Sequence, residues 1–172
     1  MSTSIAARHA RMFEYERWCT PRVIDSLRRA EQHVKQAGLA SLAPPLGRAI
    51  EIFGHAQAAK RLWLSRVSTL AQFPSDGLFP VWPLERSEQE AMEVDSLWGS
   101  FVGGLDDAAA ERVVQYTSTE GKPYESVLSD ILSHVVNHAT YHRGQIAMLV
   151  AQTGTKPTST DLIAMVAKSR AG

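Results

Sequence analysis

The sequence predicts a mostly α-helical protein, and three observations support that class. Apolar residues recur at spacings of three and four over several long segments. Proline and glycine cluster mainly between these segments. Alternating, strand-like patterns are confined to one short stretch before the last long helix. Since 172 residues of which 44% are hydrophobic are enough for one core, we expect a single domain over residues 1–172.

The first helix is predicted over Ile5–Ala37, with Gly38 placed to end it. Pro21 interrupts this pattern, because proline cannot donate a backbone hydrogen bond. We therefore expect either a kink at Pro21 or a new helix start with Thr20 as the N-cap residue.

The second helix is predicted over Leu46–Leu70, after a double proline. The segment Gly77–Pro83 is predicted as a loop whose aromatic side chains fold back onto the helices. A third helix is predicted over Ser87–Val102, because Ser87 and Glu90 have the spacing of a capping box. Its many acidic residues are expected to form a solvated face.

The chain between the third and fourth long helices is predicted to form a small hairpin or an extended excursion. Arg112–Thr117 has strand character, and Glu120–Lys122 is a turn signal. The fourth long helix is predicted over Tyr124–Gln152 and ends at Gly154. A short terminal helix, capped by Ser159 or Thr160, is predicted through Asp161–Lys168.

The composition excludes several classes of function. Eighteen basic and eighteen acidic residues give a formal net charge of zero, so we expect no nucleic-acid partner. Cys19 is the only cysteine, which excludes an intrachain disulfide and a zinc–thiolate cluster. The first eighteen residues lack the apolar stretch of a secretion signal, and no window has the ~18–20 apolar residues of a membrane span. We expect a soluble, cytoplasmic protein with no membrane partner.

The fourth long helix carries the strongest chemical signal. His138 and His142 are four residues apart, so their imidazoles project from neighbouring turns of one helix face and can hold the same metal ion. Apolar residues continue that face on both sides, which predicts core positions for the pair. Buried imidazoles need polar partners, and a metal supplies them. Two ordinary core histidines are the alternative interpretation.

A third ligand would come from another part of the chain. His9 and His33 lie among charged residues and are predicted to be on the surface. His55 stands out because it lies inside the apolar pattern of the second helix, although one histidine in such a setting can also be an ordinary core residue. His134 is one turn before His138, but a four-residue step drifts about 40° around a helix, so it fits a pocket residue better than a fourth ligand.

Known catalytic motifs are absent. No glutamate follows His138, so the His-Glu-x-x-His signature of zinc proteases fails. Paired Glu-x-x-His elements of diiron bundles, phosphate-binding glycine loops and the Gly-x-Ser-x-Gly elbow of serine hydrolases are also missing.

The segment from His134 through His138 to Tyr141-His142-Arg143-Gly144-Gln145 resembles the signature of the DinB family of bacterial four-helix proteins, also called the DinB/YfiT-like superfamily. Phe53-Gly54-His55 and Thr160-Asp161-Leu162 are similar to further segments of that family, and the resemblance covers essentially the whole chain. Two departures are local: Glu16 stands where the family usually has asparagine, and Pro21 is atypical of a straight first helix.

The resemblance implies an all-α, four-helix bundle of up-down-down-up type, usually a homodimer. It also implies a divalent metal ion, often nickel or zinc, held by His55, His138 and His142. Similar proteins with a known activity are metal-dependent transferases that use low-molecular-weight thiols such as bacillithiol or mycothiol, or a thiol-dependent isomerase.

Three neutral imidazoles leave the charge of a divalent ion uncompensated and coordination positions open. The sequence therefore suggests that a metal-bound small thiol, or a water, attacks an electrophilic small molecule. Cys19 is not expected to be the nucleophile. The alternatives are a non-catalytic bundle with a structural metal and a metal-free ligand-binding bundle. Residues expected to support the site or line its pocket are His134, Gln145, Tyr141, Asn137 and Glu51.

Overall fold

Six helices and one two-stranded sheet make up the computed structural model, which describes residues 4–38 and 40–167. A 3-10 turn, Ala40–Leu42, precedes the second helix. In chain order the elements are α1 (Ile5–Ala37), α2 (Ala43–Val67), α3 (Leu84–Gly103), α4 (Asp107–Ala110), β1 (Val113–Thr117), β2 (Pro123–Val127), α5 (Leu128–Gln152) and α6 (Leu162–Val166).

The four long helices form the predicted up-down-down-up bundle. α1 runs antiparallel to α3, because Phe13 stacks on Trp98 near the end of α3 whereas Arg28 binds Glu88 near its start. α2 runs parallel to α3 and antiparallel to α5. The contacts that fix these directions are Gly54 with Ser87 and Lys60 with Asp95 towards α3, and His55 with His142 and Trp63 with His134 towards α5.

The core consists of two apolar clusters, one towards each end of the bundle. The first surrounds Trp98, which is 1% exposed, and the second surrounds Leu27 and Phe53. On α1, α2 and α5, buried polar residues lie between the stretches of the two clusters, and Asp95 joins them from α3, where it lies within the stretch of the first cluster. Each helix contributes one buried charge to this polar layer: Glu16 from α1, Lys60 from α2, Asp95 from α3 and Arg143 from α5.

Several helices begin or end at residues other than those predicted. Of the two alternatives at Pro21, the new helix start at Thr20 is wrong, because α1 continues through Pro21. Burial of α1 on both sides of Pro21, from Phe13 to Leu27, offsets the missing backbone bond, whose loss costs about 3 kcal/mol. The hydroxyl of Thr20 instead donates to the Asp95 carboxylate and lies 3.2 Å from the Glu16 carbonyl oxygen.

α2 begins at Ala43, because proline is tolerated in the first helical turn, and it ends at Val67 rather than Leu70. The predicted capping box of α3 is also wrong. Ser87 lies one turn inside the helix and its hydroxyl donates to the Pro83 carbonyl, while Glu90 is buried against Arg61.

The hairpin before α5 is confirmed. β1 and β2 pair antiparallel, with Val113 opposite Val127 and Thr117 opposite Pro123. Because β2 uses residues 123–127, α5 begins at Leu128 and not at Tyr124. The terminal helix α6 has Asp161 at its N-cap position, so the predicted cap at Ser159 or Thr160 is wrong. It ends at Val166, before the predicted end at Lys168, a residue that lies outside the described ranges.

The acidic segment 85–111 is not simply a solvated face. Glu88, Glu90 and Asp95 are at most 7% exposed and bind Arg28, Arg61 and Lys60 respectively. Charged side chains are buried in this way only when partners neutralise them. In the described ranges, 4–38 and 40–167, none of the helices has the length and apolar character needed to cross a membrane.

Candidate metal centre

Antiparallel packing of α2 on α5 brings His55 next to His138 and His142. The ring centroids are 5.4 Å apart for His55 and His138, 4.9 Å for His55 and His142, and 4.4 Å for His138 and His142. One nitrogen from each ring lies within 4.8 Å of the others, so the three residues could hold one metal ion.

Hydrogen bonds fix the tautomers of two of the rings. The Nδ1–H of His55 donates to the carbonyl oxygen of Leu78 at 2.6 Å, and the Nδ1–H of His142 donates to the side-chain Oε1 of Gln145 at 2.8 Å. Both oxygens can only accept, so each Nδ1 carries the proton and each Nε2 keeps a free lone pair. Metal-binding histidines are commonly oriented by such a partner on the second nitrogen.

The spacing of the ring nitrogens fits a metal. The Nε2 atoms of His138 and His142 are 3.2 Å apart. Two nitrogens that each lie about 2.0–2.1 Å from one tetrahedral ion are ~3.3–3.4 Å apart. The donor set of neutral imidazoles suits zinc, nickel, iron and copper. The residues present therefore fit a divalent transition-metal ion.

Burial favours the neutral form of His138 and His142, which is the form that binds metals. Burial, followed by the neighbouring His142 and His55, lowers the pKa of His138 to about 4. Burial also lowers the pKa of His142, partly opposed by its hydrogen bond to Gln145.

The three histidines are half-buried rather than in the core positions that the sequence suggested. The reason is an adjacent cavity of about 360 Å³, which keeps His55 and His142 in contact with solvent. α2, α5 and the loop before α3 form its walls. The lining residues are Arg48, Glu51, Ile52, His55, Phe79, Pro80, Val81, Tyr141, His142 and Gln145.

Aromatic rings flank the histidines at the cavity. Phe79 stacks on His55 with 4.5 Å between the ring centroids and only 1° between the planes, and Tyr141 packs edge-on against His142 at 5.1 Å. Phe79 is 78% exposed and its neighbour Val81 is 90% exposed. The sequence predicted aromatic residues of this loop against the helices, but it did not identify Phe79 as part of the site.

The other predicted site residues fall into three groups. Gln145, Tyr141 and Glu51 line the cavity, and Gln145 also binds His142. His134 lies between Trp63 and His138, with 5.7 Å between the two histidine ring centroids, and is not part of the group of three. Asn137 is exposed and does not line the cavity.

The polar layer includes Arg143, the residue that follows His142 in α5. Arg143, next to His142, donates to both carboxylate oxygens of Glu16 at 2.6 and 2.7 Å. This pairing joins α5 to α1. Lys60 Nζ lies 2.9 Å from Asp95 and 3.4 Å from Glu16. Burial opposes the charge of Lys60, but the two carboxylates outweigh it and raise the pKa of Lys60.

His9, His33 and Cys19 are not part of the three-histidine group. His33 is exposed, as predicted, whereas His9 is half-buried. Cys19 is buried, and burial raises the pKa of its thiol, which disfavours the nucleophilic thiolate.

Comparison with known proteins identifies the family that the sequence motifs resemble. The model of the DinB family matches residues 1–169. The chain is 23% identical over 164 residues to Protein DinB of Bacillus subtilis (strain 168), an alignment that covers 88% of this chain and 89% of that protein. No solved structure matches the chain.

Proposed function

The chain belongs to the DinB family, and from that premise we propose that it is a divalent-metal-dependent transferase that joins a small thiol to an electrophilic small molecule. Water in place of the thiol would make the same site a hydrolase. When bound, a divalent cation supplies a Lewis acid that lowers the pKa of a coordinated thiol or water. Nickel and zinc are the ions that the family resemblance favours.

The observation that carries this proposal is the open side of the three-histidine group. Structural zinc sites are normally closed by four protein ligands, whereas catalytic sites have three and keep one position open. Among the described residues the group has three members, and two of them, His55 and His142, line the cavity. The cavity volume of about 360 Å³ is in the range of small-molecule sites.

The protein's own residues have separable tasks in this reaction. Leu78 and Gln145 orient His55 and His142 through their Nδ1 protons. Phe79 and Tyr141 shield the rings from bulk water on two sides. In the reaction, a carbon–sulfur bond forms, the leaving group departs with the bonding electron pair, and the thiol proton passes to solvent.

Metal analysis of the untagged protein tests the site. We expect about one divalent ion per chain in the wild type and a large loss of metal in His138→Ala. The exposed His33 provides the matched control, so His33→Ala should keep the wild-type metal content. Unchanged metal content in His138→Ala would remove the proposed site.

An activity screen separates catalysis from a structural metal. Thiol consumption in the presence of a small alkylating or arylating electrophile should depend on the loaded ion and be lost with chelator or in His138→Ala. The structural alternative predicts no rate above the uncatalysed reaction, together with a melting temperature that falls on chelation.

A further inference from the structure

One wall of the cavity beside the histidines carries two opposite charges on a single helix face. Arg48, Glu51 and His55 line the cavity from α2. With a rise of 1.5 Å per residue, Glu51 is ~6 Å and Arg48 ~10 Å from His55 along the helix axis. The negative charge therefore lies one turn from the candidate metal ligand, and the positive charge lies two turns away.

The two charges are accessible to a ligand. Arg48 Nη1 donates to Glu51 Oε2 at 2.9 Å, and the side chains are 62% and 51% exposed. This contact uses one guanidinium nitrogen and one carboxylate oxygen, so other donors and the second oxygen are left over. Exposed ion pairs of this kind stabilise a helix only weakly, and ligand charges can compete with them.

The rest of the cavity wall is uncharged. Among the described lining residues, the charged side chains are Arg48 and Glu51, and Ile52, Phe79, Pro80 and Val81 supply apolar surface. A ligand with a single charge would pair with one of the two residues and meet the like charge of the other. A ligand with both charges on neighbouring atoms satisfies both.

We propose that the small thiol carries an amino-acid-like zwitterion, whose ammonium group binds Glu51 and whose carboxylate binds Arg48. This inference rests on the proposed function, because the thiol group is assigned to the three-histidine group. The order of charges along α2 places the ammonium group nearer to the sulfur than the carboxylate. The apolar side chains of Phe79 and Val81 would contact the electrophile.

Four thiols of similar size test the head-group recognition: cysteine, cysteamine, 3-mercaptopropionate and 2-mercaptoethanol. They carry both charges, the ammonium group only, the carboxylate only and neither. Binding to the cobalt(II)-loaded protein is followed through the thiolate-to-metal absorption band. Each thiol is compared between variant and wild type, so differences in thiol acidity and in metal chelation cancel from the ratio.

Arg48→Gln should weaken binding of cysteine and 3-mercaptopropionate about fivefold and leave 2-mercaptoethanol unchanged. It should not weaken binding of cysteamine, whose ammonium group loses a like-charged neighbour. Glu51→Gln should weaken binding of cysteine and cysteamine by a similar factor, should leave 2-mercaptoethanol unchanged, and should not weaken binding of 3-mercaptopropionate. The matched controls are Lys122→Gln and Glu120→Gln, which remove the charges of an exposed ion pair in the hairpin turn. The proposed zwitterion recognition would be overturned if the variants changed binding of all four thiols equally, if they changed none, or if only one of the two variants had an effect.

S-Methylcysteine separates this inference from the proposed function, because it keeps the zwitterion but lacks a free thiol. If no thiol perturbs the cobalt spectrum while S-methylcysteine binding, followed by NMR titration, still depends on Arg48 and Glu51, the thiol chemistry fails and the head-group recognition stands. If S-methylcysteine binding is also insensitive to both variants, the two proposals fail together.

Discussion

Replacing Lys60 by methionine perturbs the polar layer at its centre. The side chain is 5% exposed, and its ammonium group lies 2.9 Å from Asp95 and 3.4 Å from Glu16. The four buried charges of this layer, two carboxylates and two cations, sum to zero. Without Lys60, two carboxylates face the single cation Arg143, so one negative charge is uncompensated in the core.

The expected cost follows from that imbalance. Removing one partner of a buried ion pair typically costs about 3–5 kcal/mol. For a chain of this length, 1 kcal/mol shifts the melting temperature by roughly 2–4 °C, so Lys60→Met should melt ~6–20 °C below the wild type. Lys122→Met, which removes a charge from an exposed pair, should change the free energy of unfolding by less than about 0.5 kcal/mol.

Urea denaturation of the metal-free proteins measures the free energy of unfolding of Lys60→Met, of Lys122→Met and of a third, double variant. Lys60→Met/Asp95→Leu removes one charge of each sign and leaves the pair of Glu16 and Arg143, so it should be clearly more stable than Lys60→Met alone. Additive losses in the double variant, or a loss below about 1 kcal/mol in Lys60→Met, would refute the view that these four charges act as one neutralised unit.

Three further predictions concern the histidines and two glycines. Gln145→Leu removes the acceptor that orients His142 and should weaken zinc binding ~10–100-fold in a competition titration with a chromophoric chelator, whereas retained affinity would show that this hydrogen bond does not orient the ring. In the metal-free protein, the lowered pKa of His138 means that the unfolded chain takes up a proton below pH ~6.5 and the folded chain only near pH 4. As the pH is lowered from about 6.5 to about 4, the free energy of unfolding should therefore decrease. An equal dependence of this free energy on pH in wild type and His138→Ala would contradict this. Gly144→Ala should stabilise the protein by roughly 0.5–1 kcal/mol, because nothing lies within 4 Å of the added Cβ, while Gly54→Ala meets Ser87 at 3.3 Å and should stabilise less or destabilise in the same denaturation assay.

The long helices could be predicted because periodicity and terminating residues agree along them. α1 has its predicted bounds, and Gly38 ends it in the left-handed conformation, with φ 62°. The first residues of the predicted fourth helix were wrong because the segment from Tyr124 to Val127 pairs with β1, and single-helix periodicity does not contain that long-range pairing. Pro21 failed as a helix breaker because tertiary burial outweighs local propensity.

The partners of buried polar residues were less predictable than the helices. Glu90 has the sequence spacing of a capping residue, but it binds Arg61 on a different helix. Gly144 faces open space, which its position inside a long helix does not reveal. In both cases the decisive neighbour, or its absence, depends on how helices distant in sequence pack.

The candidate site was visible in the sequence to the extent that helical spacing determines it. The four-residue step of His138 and His142 places both rings on one face, and the apolar setting of His55 pointed to α2. The carbonyl of Leu78 and the ring of Phe79 could not be assigned, because an irregular loop brings them to His55. The ~360 Å³ cavity, which distinguishes an open site from a closed one, also depends on that loop.

X-ray absorption spectroscopy of the zinc-loaded protein tests the central claim most directly. We predict three imidazole nitrogens at about 2.0–2.1 Å from the ion, with a light solvent atom completing the shell in the wild type. His55→Ala should lose one imidazole while keeping the bundle, as judged by circular dichroism. An identical imidazole count in wild type and His55→Ala would contradict a metal site that joins α2 to α5.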